Sequence, residues 1–160
     1  MTALATYVRM IIDQGAGEAQ RDRSATIEAQ HLLLAIAAGQ EATTHQVLTS
    51  AGLDPRAIRD ALNREFERSL SAAGVSLAAF DFPPPSSAAE RTPQLGTSAK
   101  LALERSFTSG ARRKDLQPAH LLLGILQAQI GTVPRALALA GTDRADLAAR
   151  VQQALTSESE

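Results

Sequence analysis

His31 and His120 are the side chains with the most chemistry to offer, and each stands at the head of an apolar run. An imidazole can ligate a metal, act as a general base or serve as a neutral hydrogen-bonding post; its neighbours decide which. A metal site on one helix face needs a second ligand a turn away, yet neither histidine has His, Asp or Glu four residues on. A general base needs an organised nucleophile, and no G-x-S-x-G or comparable motif is present. The twin placement points instead to a structural role, each ring hydrogen-bonded near a helix start. Asp54 and Asp143, with Asp146 three residues on, read as helix-capping carboxylates rather than catalytic ones. Arg112-Arg113-Lys114 reads as a solvated basic loop. No residue set here calls for a cofactor or a metal.

The elements that carry these residues occur twice. His31-Leu32-Leu33-Leu34-Ala35-Ile36 returns as His120-Leu121-Leu122-Leu123-Gly124-Ile125, displaced by 89 residues. The same offset carries Leu48 onto Leu137, Ala51-Gly52 onto Ala140-Gly141 and Asp54 onto Asp143, with no gap. Beyond each aspartate, apolar residues recur every four positions: Ile58, Leu62 and Phe66, then Leu147, Val151 and Leu155. That spacing is one face of a helix. Several matches in a single register mark a duplication of one helical unit.

Local signals divide each unit into helices. A first helix from Thr2 or Ala3 places Leu4, Val8, Ile11 and Ile12 inward, with a bend or early end expected at Gly15 and Gly17. Ser24-Ala25-Thr26 offers capping hydroxyls before a core helix over about 28–39, apolar on every side and so buried on several. A third helix over about 41–51 closes at Gly52, and a fourth starts at Asp54-Pro55 and runs to about Leu70. In the second unit the expected helices cover about 97–110, from Pro118 to near Gln129, 132–140 closed by Gly141, and a last one capped by Asp143. Leu101, Leu103 and Phe107 are the expected packing residues of the first of these, and Thr156–Glu160 a frayed tail. Between the units, Phe80-Asp81-Phe82-Pro83-Pro84-Pro85 excludes a helix and reads as a connector.

Composition fits this reading. The 160 residues are 44% hydrophobic but only 3% aromatic, with no Trp, so Leu and Ala must fill the core; that favours close-packed helices over strands. There is no cysteine, which removes disulfides, thiol catalysis and thiolate metal sites and suits a reducing cytoplasm. A formal net charge of −1 gives no field for nucleic acid or anionic membrane, and the turn at Gly52 lacks a basic recognition helix behind it. No stretch approaches the roughly 18 apolar residues of a membrane span. The N-terminus has no signal-peptide pattern, so a cytoplasmic location is expected.

Two runs carry a resemblance: Ile27-Glu28-Ala29-Gln30-His31-Leu32-Leu33-Leu34 and Leu116-Gln117-Pro118-Ala119-His120-Leu121-Leu122-Leu123. With Ala51-Gly52-Leu53-Asp54, Ala140-Gly141-Thr142-Asp143, Thr92-Pro93 and Ala99-Lys100, they make the chain similar to the Clp N-terminal domain, the double Clp repeat in front of the ATPase rings of ClpA, ClpB and ClpC. The resemblance implies an all-α, pseudo-twofold bundle of about eight helices in one domain. Repeat one covers about 1–70, a connector about 71–96 and repeat two about 97–156. It implies a non-catalytic module that captures protein substrates or adaptors in Clp-type quality control, with a Clp ATPase or protease as a further partner. Sequestration of peptides or peptide antibiotics aimed at such domains is the alternative. A hydrolase with an unrecognised site and a DNA-binding regulator rank below both. Oligomeric state is left open. No G-x-x-x-x-G-K-[ST] phosphate loop is present, so a stand-alone copy without the ATPase modules is expected.

In ClpC-type members the residue before each motif histidine is Glu, and the two glutamates help hold the guanidinium of phosphorylated arginine. Here those positions are Gln30 and Ala119. Carboxylates hold guanidinium by charge-assisted pairs, which Gln weakens and Ala removes. Glu28 offers a nearby carboxylate, and its counterpart is the neutral Gln117. The resemblance therefore places the binding residues at Glu28, Gln30, Gln117 and Ala119, and implies loss of phosphoarginine recognition. His31, His120, Gly52, Gly141, Asp54 and Asp143 are the structural counterparts.

Overall fold

A computed structural model describes residues 3–74, 92–108, 112 and 115–158. Eight helices are described: α1 (Ala3–Arg21), α2 (Ala29–Ala38), α3 (Ala42–Ser50), α4 (Pro55–Ala72), α5 (Thr97–Phe107), α6 (Ala119–Leu126), α7 (Thr132–Leu139) and α8 (Arg144–Glu158). Two two-residue strands, β1 (Thr26–Ile27) and β2 (Gln94–Leu95), pair in parallel, Thr26 opposite Gln94 and Ile27 opposite Leu95. The protein is an all-α bundle. The Phe80–Pro85 run, the remainder of 75–91 and Arg113-Lys114 lie outside the described residues.

The motif helices form the centre. Leu32, Leu33 and Ile36 in α2, and Leu121, Leu122 and Ile125 in α6, are buried at corresponding positions. A short helix apolar on every side is stable only where neighbours cover it all round, and α2 and α6 each contact helices from both repeats. Packing across the repeats is reciprocal. Helix α4 lies on α7, and its counterpart α8 lies on α3. Gly52 and Gly141 both have positive φ, 75° and 78°, at the turn that ends α3 and α7. Glycine adopts that conformation without a Cβ clash, which lets Asp54 and Asp143 follow at once as caps. Asp54 Oδ1 accepts from Ala57 N–H at 2.7 Å, and Asp143 Oδ1 from Ala145 N–H at 2.9 Å.

Several expectations are corrected. Helix α1 runs unbroken through Gly15 and Gly17, because Gly15 is a packing site: a Cβ there would sit 3.1 Å from Leu32 Cδ2 and 3.3 Å from Ile27 Cγ2. That contact offsets the roughly 1 kcal/mol that glycine costs inside a helix. Helix α2 is entered at Glu28, not by the hydroxyls of Ser24 or Thr26: Ser24 Oγ donates to the Thr26 carbonyl and Thr26 Oγ1 to the Glu28 carboxylate. Leu101 and Phe107 are exposed. Helix α5 instead buries Ala99, Ala102 and Ser106, the last two against Gly124 of α6, a crossing too close for large side chains. Phe66 is also exposed, and Glu65 takes the inward place on α4. Steps of four advance about 40° around a helix, so a stripe begun at Ile58 and Leu62 drifts off the buried face by Phe66. Helix α6 ends at Leu126, short of Gln129, and α8 continues to Glu158 where a frayed tail was expected from Thr156.

Candidate protein-binding site

The two motif histidines hold the starts of α2 and α6 by the same bonds. Glu28 N–H donates to His31 Nδ1 at 2.9 Å, and His31 N–H to the Glu28 carbonyl at 3.0 Å. In the second repeat, Gln117 N–H donates to His120 Nδ1 and His120 N–H to the Gln117 carbonyl, both at 2.9 Å. Each Nδ1 thus takes the backbone N–H three residues before it, which fixes the ring against the helix start. His31 Nε2 lies 3.1 Å from Asp22 Oδ2. Burial holds the His120 imidazole below its ordinary pKa, opposed by the Gln117 carbonyl 3.3 Å from Nδ1, to which a protonated ring would donate.

Around His31 the symmetry ends. Arg59 of α4 reaches across to Glu18 and Asp22, its Nη1 2.7 Å from Asp22 Oδ1. Burial pushes the Asp22 carboxyl up, but His31 and Arg59 more than offset it, so its pKa falls below the ordinary value. The chain α1–Arg59–Asp22–His31 therefore ties α1, α4 and α2 together.

Glu28 is committed to a second junction. Its Oε1 accepts from Ser98 Oγ at 2.7 Å and Ser98 N–H at 3.2 Å, and its Oε2 from Thr26 Oγ1 at 2.7 Å. Ser98 Oγ in turn accepts from Ala29 N–H at 2.7 Å. Two helix N-termini, those of α2 and α5, meet around one carboxylate. These bonds outweigh desolvation and lower the Glu28 pKa. The β1–β2 pair brings the two starts together, and Gly96 is required there because a Cβ would overlap the Glu28 carboxylate.

Of the four residues placed at a binding surface by resemblance, two are consumed by the fold. Glu28 is held by Thr26 and Ser98, and Ala119 is only 1% exposed. Gln30 and Gln117 are half-buried. Gln30 lines a cavity of about 300 Å³ between the start of α2 and the middle of α4, together with Asp22, His31, Arg59, Asn63 and Phe66. A second cavity of about 410 Å³ lies between α4 and α7, lined by Arg68, Ala72, Arg135, Ala138 and Leu139. Glu65 lines both. Sequence reasoning missed Glu65 by taking Phe66 as the inward residue of its turn. A signal was there: at the corresponding place in repeat two stands Ala154, so a carboxylate breaks an otherwise apolar match.

Among the described residues no group of three or more His, Cys, Asp or Glu could hold a metal ion, and no helix is long and apolar enough to cross a membrane. The family model of the Clp repeat (R) N-terminal domain matches residues 4–112. No curated protein matches the chain.

Proposed function

We propose that this chain, which belongs to the Clp repeat N-terminal domain family, captures protein segments or adaptors in Clp-type quality control through the cavities flanking α4. The family is a non-catalytic one that binds proteins in Clp systems. The observation that carries the reading is the pair of adjoining cavities, with Phe66, 55% exposed, lining the one between α2 and α4. A large aromatic left outside a Leu/Ala core beside a concave surface is the usual anchor of a protein contact. Gln30 supplies an amide donor and acceptor at the floor of one cavity and carries no charge to select a phosphorylated guanidinium.

The test uses the whole chain, a reduced and carboxymethylated protein as a permanently unfolded ligand, and a Clp adaptor from the same source. Saturable binding to either is expected, with Phe66→Ala weakening it about tenfold or more, as loss of one interface anchor does. In excess, the chain should also slow adaptor-dependent degradation by a Clp ATPase–protease through competition. Absence of binding to both ligands refutes the reading, as does binding that Phe66→Ala leaves untouched.

A further inference from the structure

We propose that Glu65 is the specificity element of this surface and that it selects segments carrying an unmodified Lys or Arg beside an apolar residue. The inference rests on the capture reading above and names its substrate class. Glu65 is 5% exposed, a burial at which a carboxylate needs partners on both oxygens or an opening toward a ligand. Its Oε1 is saturated, accepting from Ser69 Oγ at 2.7 Å and Arg135 Nε at 2.8 Å. Its Oε2 accepts no hydrogen bond from any described residue and is not sealed in the core. The side chain forms the wall common to both cavities. A half-paired carboxylate in that position is a receptor for a donor that arrives from outside.

The surrounding charges decide which donor. In the cavity between α2 and α4 the other carboxylate is Asp22, and the one cation, Arg59, has its guanidinium turned to Glu18 and Asp22. Phe66 stands at the rim of the same cavity, where its ring can also receive a cation. In the cavity between α4 and α7 the balance reverses: Arg68 and Arg135 flank the apolar atoms of Ala72, Ala138 and Leu139. A basic side chain is therefore directed to the α2–α4 side of Glu65, and its apolar neighbour to the α4–α7 side. The surface reads a two-residue feature rather than a generic unfolded chain.

Fluorescein-labelled nonapeptides with leucines around one central residue test this, the centre being Arg, Lys, citrulline or norleucine. Arg and Lys peptides are expected to bind about tenfold or more tighter than the citrulline and norleucine peptides, the worth of one charge-assisted hydrogen bond. Glu65→Gln should abolish that preference. Arg135→Ala breaks the same ion pair but keeps the carboxylate, and so should retain or strengthen the preference. This separates recognition from mere loss of the Glu65–Arg135 link. Equal binding of all four peptides overturns the role of Glu65 while the capture reading stands, as does parallel loss in both variants. No binding of any peptide by a chain that still captures the carboxymethylated protein or the adaptor overturns the role of Glu65 alone; no binding of peptides, unfolded protein or adaptor overturns both.

Discussion

Removing the Glu28 carboxylate should weaken the fold and leave ligand recognition alone. Three hydrogen bonds end on it, and through Ser98 it also fixes the first N–H of α2. A bond to a charged acceptor contributes about 1.5–3 kcal/mol, but Glu28 is only half-buried and water can replace part of that in the variant. Glu28→Ala should therefore cost about 2–4 kcal/mol, a large share of the 5–15 kcal/mol typical of a domain. Glu28→Gln keeps an acceptor and loses the charge facing the start of α5, so about 1 kcal/mol is expected. Urea unfolding of Glu28→Ala, Ser98→Ala and the double variant forms a cycle whose coupling should reach about 1–2 kcal/mol. Because the folded pKa of Glu28 is depressed, its stabilisation is present above the unfolded value of 4.5 and is lost as pH falls through the folded value. The variant should accordingly lose less stability than wild type on acidification. A coupling near zero, or an unchanged acid profile, would refute the clamp.

Leu33→Ala and Leu122→Ala, at matching buried positions, should each cost about 2–5 kcal/mol by thermal or urea unfolding, the range for a cavity in a packed core. The only tyrosine, Tyr7, has its hydroxyl pushed up to about 12 by burial, with Glu41 adding to the effect and Thr44 opposing it. Its absorbance change should therefore appear well above pH 10, or together with unfolding; stability should decline once pH exceeds the unfolded value of 10. A simple transition near 10 in the folded protein is the contrary result. Since His120 is held neutral by burial, stability should also fall as pH drops below its unfolded value of 6.5, and His120→Asn or His120→Gln should flatten that limb. Phosphoarginine should give no saturable micromolar shifts around Gln30 in an NMR titration, because neither Gln30 nor the buried Ala119 presents a carboxylate to its guanidinium.

The fold was legible because a duplication writes each signal twice. His31 and His120, the two leucine runs, Gly52 and Gly141, and the capping aspartates agree in one register, and an all-α bundle follows from helices that repeat with Leu and Ala to fill them. What remained illegible lay where long-range packing overrides local preference. Gly15 does not end α1, because Ile27 and Leu32 arrive from elsewhere in the chain to pack on it. The outward turn of Leu101 and Phe107 is decided by Gly124, more than fifteen residues away, which invites the small face of α5 instead. Ser98, the partner of Glu28, is 70 residues distant, and no periodicity connects them. The sequence nominated Glu28 for a ligand because a carboxylate near a helix start looks available until its partner is known.

The same duplication supports the proposed placement of the binding face. Positions that match across repeats are occupied by the core: the leucines and isoleucines of α2 and α6, and the histidines that hold their starts. Positions that fail to match have been released from that shared duty. Glu65 corresponds to Ala154 and Arg135 to Gln46, so the ion pair beside the α4–α7 cavity has no counterpart at the α3–α8 contact. Phe66 corresponds to Leu155, which is buried at 8%, whereas Phe66 stands 55% exposed. Gln30 corresponds to Ala119, one lining a cavity and the other inside the core. A symmetric scaffold needs none of these differences for stability, and burying Glu65 works against it. They converge on one side of the molecule, around α4, and that convergence is what supports the proposed binding face there, on a surface whose helices are otherwise built alike.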